Sequence, residues 1–110
     1  MNYRVVILQT AGQDLKDLRA NLLKDFGKET WLSRFADIRA AIDNLKRFSD
    51  SGAIRDALEQ LNLAQYRQLI SGRNRIIYEV RQKTVYVHLV VDTRRDMKSL
   101  LTRRLLRAVD

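Results

Sequence analysis

The sequence predicts one α+β domain over residues 1–110. It is a small, mostly antiparallel sheet with an N-terminal helical hairpin packed on one face, in the order β-α-α-β-β-β-α. Three observations carry this expectation. A short β-branched run at residues 3–8 gives way to two stretches whose apolar residues recur at helical spacing. A strongly alternating segment then runs from Tyr66 to Val91, and the helical period returns after Met97.

The elements follow in order. "YRVVIL" at residues 3–8 is apolar toward both sides, as suits a strand covered on both faces. From Ala11 to Phe26, Leu15, Leu18, Leu22 and Phe26 form an apolar stripe, while Asp14, Lys16, Asp17, Arg19 and Lys24 point elsewhere. Gly27 suits the helix C-terminus, because glycine takes the left-handed conformation at little cost. A second helix is expected from about Glu29 to Phe48 on the stripe Trp31, Phe35, Ile38, Ile42 and Leu45, so the two helices should form an antiparallel hairpin. "SDSG" at 49–52 ends it with turn-forming residues, and 53–63 reads as a short helical turn or an extended loop.

Three antiparallel strands come next. Tyr66 to Ile70 is the first, with Ser71-Gly72 as its turn. Period two places Ile76, Tyr78 and Val80, and then Val85, Val87, Leu89 and Val91, on the face toward the helices. The opposite face should carry Arg73, Arg75, Ile77, Glu79, Arg81, Tyr86, His88 and Val90. Asp92 and Thr93 suit a helix N-cap, with Asp96 near the positive end of the dipole. Met97, Leu100, Leu101 and Leu105 give the last helix its stripe, and Arg95, Lys98, Arg103, Arg104 and Arg107 make the remainder basic.

Composition narrows the function. Of the 110 residues, 45% are hydrophobic and 31% charged, an ordinary globular balance. The absence of cysteine excludes disulfides, thiol nucleophiles and thiolate metal sites, and one histidine argues against an all-protein zinc site. No cofactor is expected. The N-terminus lacks the basic lead and long apolar run of a signal peptide or membrane span, so a cytoplasmic protein with no membrane partner is expected. The net charge of +8 is unevenly placed: residues 1–63 hold 10 Lys and Arg against 9 Asp and Glu, whereas 64–110 hold 11 against 4. That asymmetry points to an anionic or acidic partner for the second half.

Tyr66-Arg67, then "RIIYEV" at 75–80, then Arg94-Arg95-Asp96 after the last strand, behind a lone strand and a helical hairpin, resemble the RelE/ParE superfamily of toxins from bacterial type II toxin–antitoxin operons. The resemblance covers essentially the whole chain. It implies a growth-inhibiting toxin with a role in plasmid stabilisation, silenced by a cognate antitoxin in a hetero-oligomeric complex. It also implies one of two targets. RelE-like members cleave messenger RNA on the ribosome, whereas ParE-like members poison DNA gyrase and are not nucleases.

RNA cleavage needs an activated 2′-hydroxyl, a proton for the leaving oxygen and cations on the phosphorane. Carried over by motif, the RelE-like candidates are Arg75, Arg94 and, with one residue of gap, Arg67, with His88 as a proton carrier. The second lysine position of that pattern falls on Leu69 and its C-terminal tyrosine near Leu100. "DTRRDM" at 92–97 looks like the ParE-like segment after the last strand, with Asp92 where that pattern has histidine. The ParE-like reading is therefore preferred. It makes Arg73, Arg75, Arg81, Arg94, Arg95 and Lys98 the residues for target or antitoxin.

Blander readings stand beside these. Arginines on a sheet face keep it soluble and discourage edge pairing. A histidine on a half-exposed strand usually makes one ordinary hydrogen bond, although His88 is the one side chain with an ordinary pKa near neutrality. A plain nucleic-acid-binding module is disfavoured, because the basic half offers only Tyr66, Tyr78 and Tyr86 as stacking platforms and Tyr78 should face the core.

Overall fold

The computed structural model describes residues 3–47 and 65–106. Phe48, the turn at 49–52, the segment 53–63, the side chain of Met97 and Arg107 lie outside the described residues. The predicted order holds: β1 (Arg4–Ile7), α1 (Gln9–Asp25), α2 (Lys28–Asn44), β2 (Tyr66–Ser71), β3 (Asn74–Arg81), β4 (Thr84–Asp92) and α3 (Met97–Leu101), which continues into a wider π-helical turn at Thr102–Leu106. The four strands lie in the order β1-β4-β3-β2. β1 runs parallel to β4, from Arg4 opposite Thr84 to Ile7 opposite Val87, and the other pairs are antiparallel.

Local chemistry explains the hairpin. The N–H groups of Phe26 and Gly27 both donate to the Leu22 carbonyl, at 2.8 and 2.9 Å, and close the last turn of α1. Gly27 at φ 99° reverses the chain there, a conformation costly for any residue with a Cβ. α1 and α2 thus fold back on each other and lay Ala11, Ile38, Ile42 and Leu45 on Ile76, Tyr78, Val85, Val87 and Val90 of the sheet. Leu15 and Leu18 pack against this cluster, but Phe26, expected in the stripe, is 68% exposed at the hairpin tip.

The opposite face departs from the sequence expectation. It is not a solvated charged surface, because α3 lies on it. Leu100, Leu101 and Leu105 bury Tyr66, Ile77, Leu89 and Val91 in a second core. The cause is a β-bulge. Ile77 pairs with Leu89 while Tyr78 pairs with Val87, so His88 is one residue extra in β4. A bulge breaks the period-two rule. Beyond it Leu89 and Val91 turn away from the hairpin and Val90 turns toward it, the reverse of strict alternation.

The cap of α3 also comes about one helical turn later than expected. Asp96, not Asp92 or Thr93, is the N-cap, and its carboxylate accepts from the Ser99 N–H at 3.4 Å and the Ser99 hydroxyl at 2.8 Å. No described helix is long and apolar enough to cross a membrane.

Candidate functional site

Apart from Arg67, the candidate residues fall into two groups at opposite ends of the sheet. At the end formed by the β2–β3 turn and the exit of β4 stand Arg73, Arg75, Arg94, Arg95 and Lys98. Arg75 donates through Nη2 to the Thr93 carbonyl at 3.3 Å, while its buried Nε has no partner among the described residues. Arg73, Arg95 and Lys98 are exposed. Arg94 is 80% exposed and folds back on Asp92: its backbone N–H and Nε donate to Oδ1 at 2.8 and 3.2 Å, and Nη2 donates to Oδ2 at 3.4 Å. Burial pushes the Asp92 carboxyl up. The hydrogen bonds from Arg94 and the charges of Arg94 and Arg34 outweigh that and hold it below its ordinary value.

At the other end, His88 projects from the bulge toward Glu79. Its Nε2 lies 3.1 Å from Glu79 Oε1, and Arg81 Nε reaches the same oxygen at 3.4 Å. The Arg81 guanidinium also lies 4.4 Å from the centre of the Tyr86 ring, and the Tyr66 ring meets His88 edge-on at 5.0 Å. With its proton on Nε2, the neutral ring donates to the Glu79 carboxylate. Burial lowers the His88 pKa, and the charges of Arg81 and Arg104 add to the fall, against the opposing pull of Glu79. The imidazole is therefore neutral at pH 7.

That direction fixes a pH dependence. In the unfolded chain the imidazole takes up its proton near pH 6.5, whereas in the fold it does so at a lower pH. Between those values the unfolded state binds more protons, so stability rises with pH. Stability is complete above about pH 6.5 and falls as the pH drops toward the lowered folded value. Urea midpoints at pH 7.5 and 5.5 should show this loss, and His88→Gln should remove it. Equal loss in the variant would assign the dependence to another group.

The two groups do not converge. Arg75 and Glu79 are four residues apart on β3, roughly 13 Å at strand rise. Ile77 between them is fully buried in the second core with Leu100, Leu101 and Leu105. Arg67 pairs with Tyr78, whose ring belongs to the hairpin-side core, so it stands on the face away from Arg75. Leu69 packs against that same core, and Leu100 is buried where α3 meets the sheet. The residues carried over from the nuclease pattern are thus divided between two faces and two ends of the sheet.

One feature escaped the sequence reading altogether. Asp14, taken for the solvent side of α1, is turned inward. Its carboxylate accepts from Arg104 Nη1 and Nη2 at 3.0 and 3.2 Å and from the Val90 N–H at 3.1 Å. This pair closes one end of a groove of about 620 Å³ between α1 and the C-terminal helix. Asp17 and Asp25 line it on one side, Arg94, Arg95 and Arg103 on the other, with Leu18, Leu22, Phe26 and Val91 among its apolar residues. Three or more His, Cys, Asp or Glu side chains grouped to hold a metal ion do not occur among the described residues.

Comparisons with known proteins agree with this architecture. A chain from the structure described as the chromosomal ParDE TA system from P. aeruginosa superposes with a TM-score of 0.68 and 17% identity, over 82% of this chain and 95% of that one. A chain of the toxin–antitoxin complex RelBE2 from Mycobacterium tuberculosis gives a TM-score of 0.58 and 22% identity, over 84% and 99%. At these identities the likeness is one of fold. None of the curated proteins matches the sequence. Residues 5–97 match the family described as the ParE toxin of the type II toxin–antitoxin system parDE. With most of its length inside that match, from β1 to the first residue of α3, the chain belongs to the ParE toxin family within the RelE/ParE superfamily.

Proposed function

We propose that this chain is the growth-inhibiting half of a plasmid-stabilising toxin–antitoxin pair, a cytoplasmic protein held inactive in a complex with its cognate antitoxin. In this reading it acts in the ParE manner, by binding DNA gyrase without cutting nucleic acid. The match to the ParE toxin family over residues 5–97 is the observation that carries the reading. Support for gyrase over the ribosome comes from the separation of Arg75 and Arg94 from His88 by the second core, and from leucines at the positions where a nuclease needs lysine and tyrosine. Arg73, Arg75, Arg94, Arg95 and Lys98 form one contact patch for the acidic surface of the target or antitoxin, and Arg81 stands apart at the far end of β3.

The test is induction of the chain alone in a bacterial host, with total RNA and trapped gyrase–DNA cleavage complexes followed in parallel. The expected result is arrested growth with intact messages and accumulating gyrase complexes. Arg94→Glu with Arg95→Glu should weaken the arrest at least about tenfold in inducer dose, as like-charge contacts cost a complex heavily. His88→Gln should leave it unchanged. Rapid loss of translated messages, relieved by Arg75→Ala, Arg94→Ala and His88→Gln, would instead establish a ribosome-dependent endoribonuclease. Undisturbed growth would remove both readings.

A further inference from the structure

Asp92 faces two sets of donors and occupies one. In the structure it holds Arg94 through the three contacts described above. Directly opposite on β3, at the Cα position paired with Asp92, stands Asn74. Paired residues on one sheet face have Cβ atoms within about 5.5 Å, so the two side chains are neighbours. Asn74 is completely buried, yet its amide Nδ2 has no hydrogen-bond partner among the described residues. Its Oδ1 accepts from Arg34 Nη1 of α2 at 3.4 Å, which brings a guanidinium to the same spot. A buried amide donor left open is rare in folded proteins and asks for an occupant. The side chain paired with it across the ladder is Asp92, and that carboxylate is engaged with Arg94.

We propose that Asp92 is a two-position latch on Arg94. In the free protein its carboxylate masks Arg94, and when a carboxylate of an acidic partner segment takes Arg94, Asp92 turns to Asn74 Nδ2 and Arg34. The exchange keeps every charge paired. Arg94 gives up one carboxylate for another, bound through the same Nε and Nη2 edge, and the orphaned amide gains its acceptor. Asp92 thereby acts as an internal competitor that sets how strong an acidic contact must be before Arg94 accepts it. The partner half of this inference rests on the contact patch proposed above; the latch itself can be tested without any partner.

The first experiment uses the free protein. Arg94→Ala removes a mostly exposed side chain, and it should move the Asn74 side-chain amide protons downfield as Asp92 swings over, with the Arg34 Nε–H shifting alongside. The double variant Asp92→Ala/Arg94→Ala should return both signals to their original positions. Asn74 signals unmoved by Arg94→Ala would overturn the latch while leaving the toxin reading untouched. The second experiment titrates the wild-type protein with a hexaglutamate peptide. Arg94 Nε–H and Asn74 Nδ2–H should shift with one common midpoint, and Asp92→Asn should tighten binding about two- to fivefold, the range of an exposed ion pair. A shift at Arg94 alone would overturn the coupling. A peptide that leaves Arg94 unmoved, with a short single-stranded RNA moving it instead, would overturn the acidic-segment partner and point back to phosphate.

Discussion

Asp14→Ala is expected to lower the free energy of unfolding by about 3 kcal/mol, far more than a typical helix-face aspartate would cost. One carboxylate serves both terminal nitrogens of Arg104 and the Val90 N–H, so it ties α1 to β4 and to the C-terminal helix together. Removing it leaves a half-buried guanidinium and a strand amide without their acceptor, and the orphaned groups account for most of the loss. Asp14→Asn keeps an acceptor for Val90 and should recover about half. Urea unfolding of the three proteins measures the effect. A loss under about 1 kcal/mol for Asp14→Ala would mean that water replaces the carboxylate at little cost and that the C-terminal segment is held by its leucines alone.

Ile77→Ala should cost about 2–5 kcal/mol, the range for truncating a fully buried isoleucine. Its side chain has no solvent exposure and sits between Leu89 and the leucines of the C-terminal helix. Its consequence should be local as well as global. Amides of residues 100–105 should exchange with solvent much faster relative to those of α2, because Ile77 underlies the second core and not the first. Ile38→Ala, which empties the hairpin-side core, is the matched control with the opposite pattern. Uniform acceleration in both variants would show that the two cores unfold as one cooperative unit.

Much of this was legible in the sequence. Helical spacing marked the hairpin and its inward residues Ile38, Ile42 and Leu45, and period two marked Ile76 and Tyr78, because regular elements against one core print their period on the chain. The second core was hidden for a physical reason. A bulge adds one residue to a strand without changing composition, and counting by twos across His88 inverts every later assignment. The only trace was the unbroken apolar run Leu89-Val90-Val91, which fits a strand buried on both faces.

The site was less legible than the fold. The sequence brought forward the basic residues Arg73, Arg75, Arg94, Arg95 and Lys98 that gather at one end of the sheet, but it could not tell that the second core under α3 would stand between Arg75 and His88. Asp14 and Asp92 carry the same lesson. An aspartate on an amphipathic helix reads as solvent-facing and one before a helix reads as a cap; in the structure one binds Arg104 across the fold and the other closes a local turn on Arg94. Asp96, four residues on, took the capping role, and its Ser99 partner was the available signal.

The parallel pairing of β1 with β4 also governs when the protein can exist. β1 waits for β4, since Arg4 stands opposite Thr84, and Asp14 waits for a partner 90 residues downstream. Such non-local closure slows folding and postpones it until β4 and the helix after it have left the ribosome. A nascent chain still being translated thus carries the toxin's sequence without the toxin's surface.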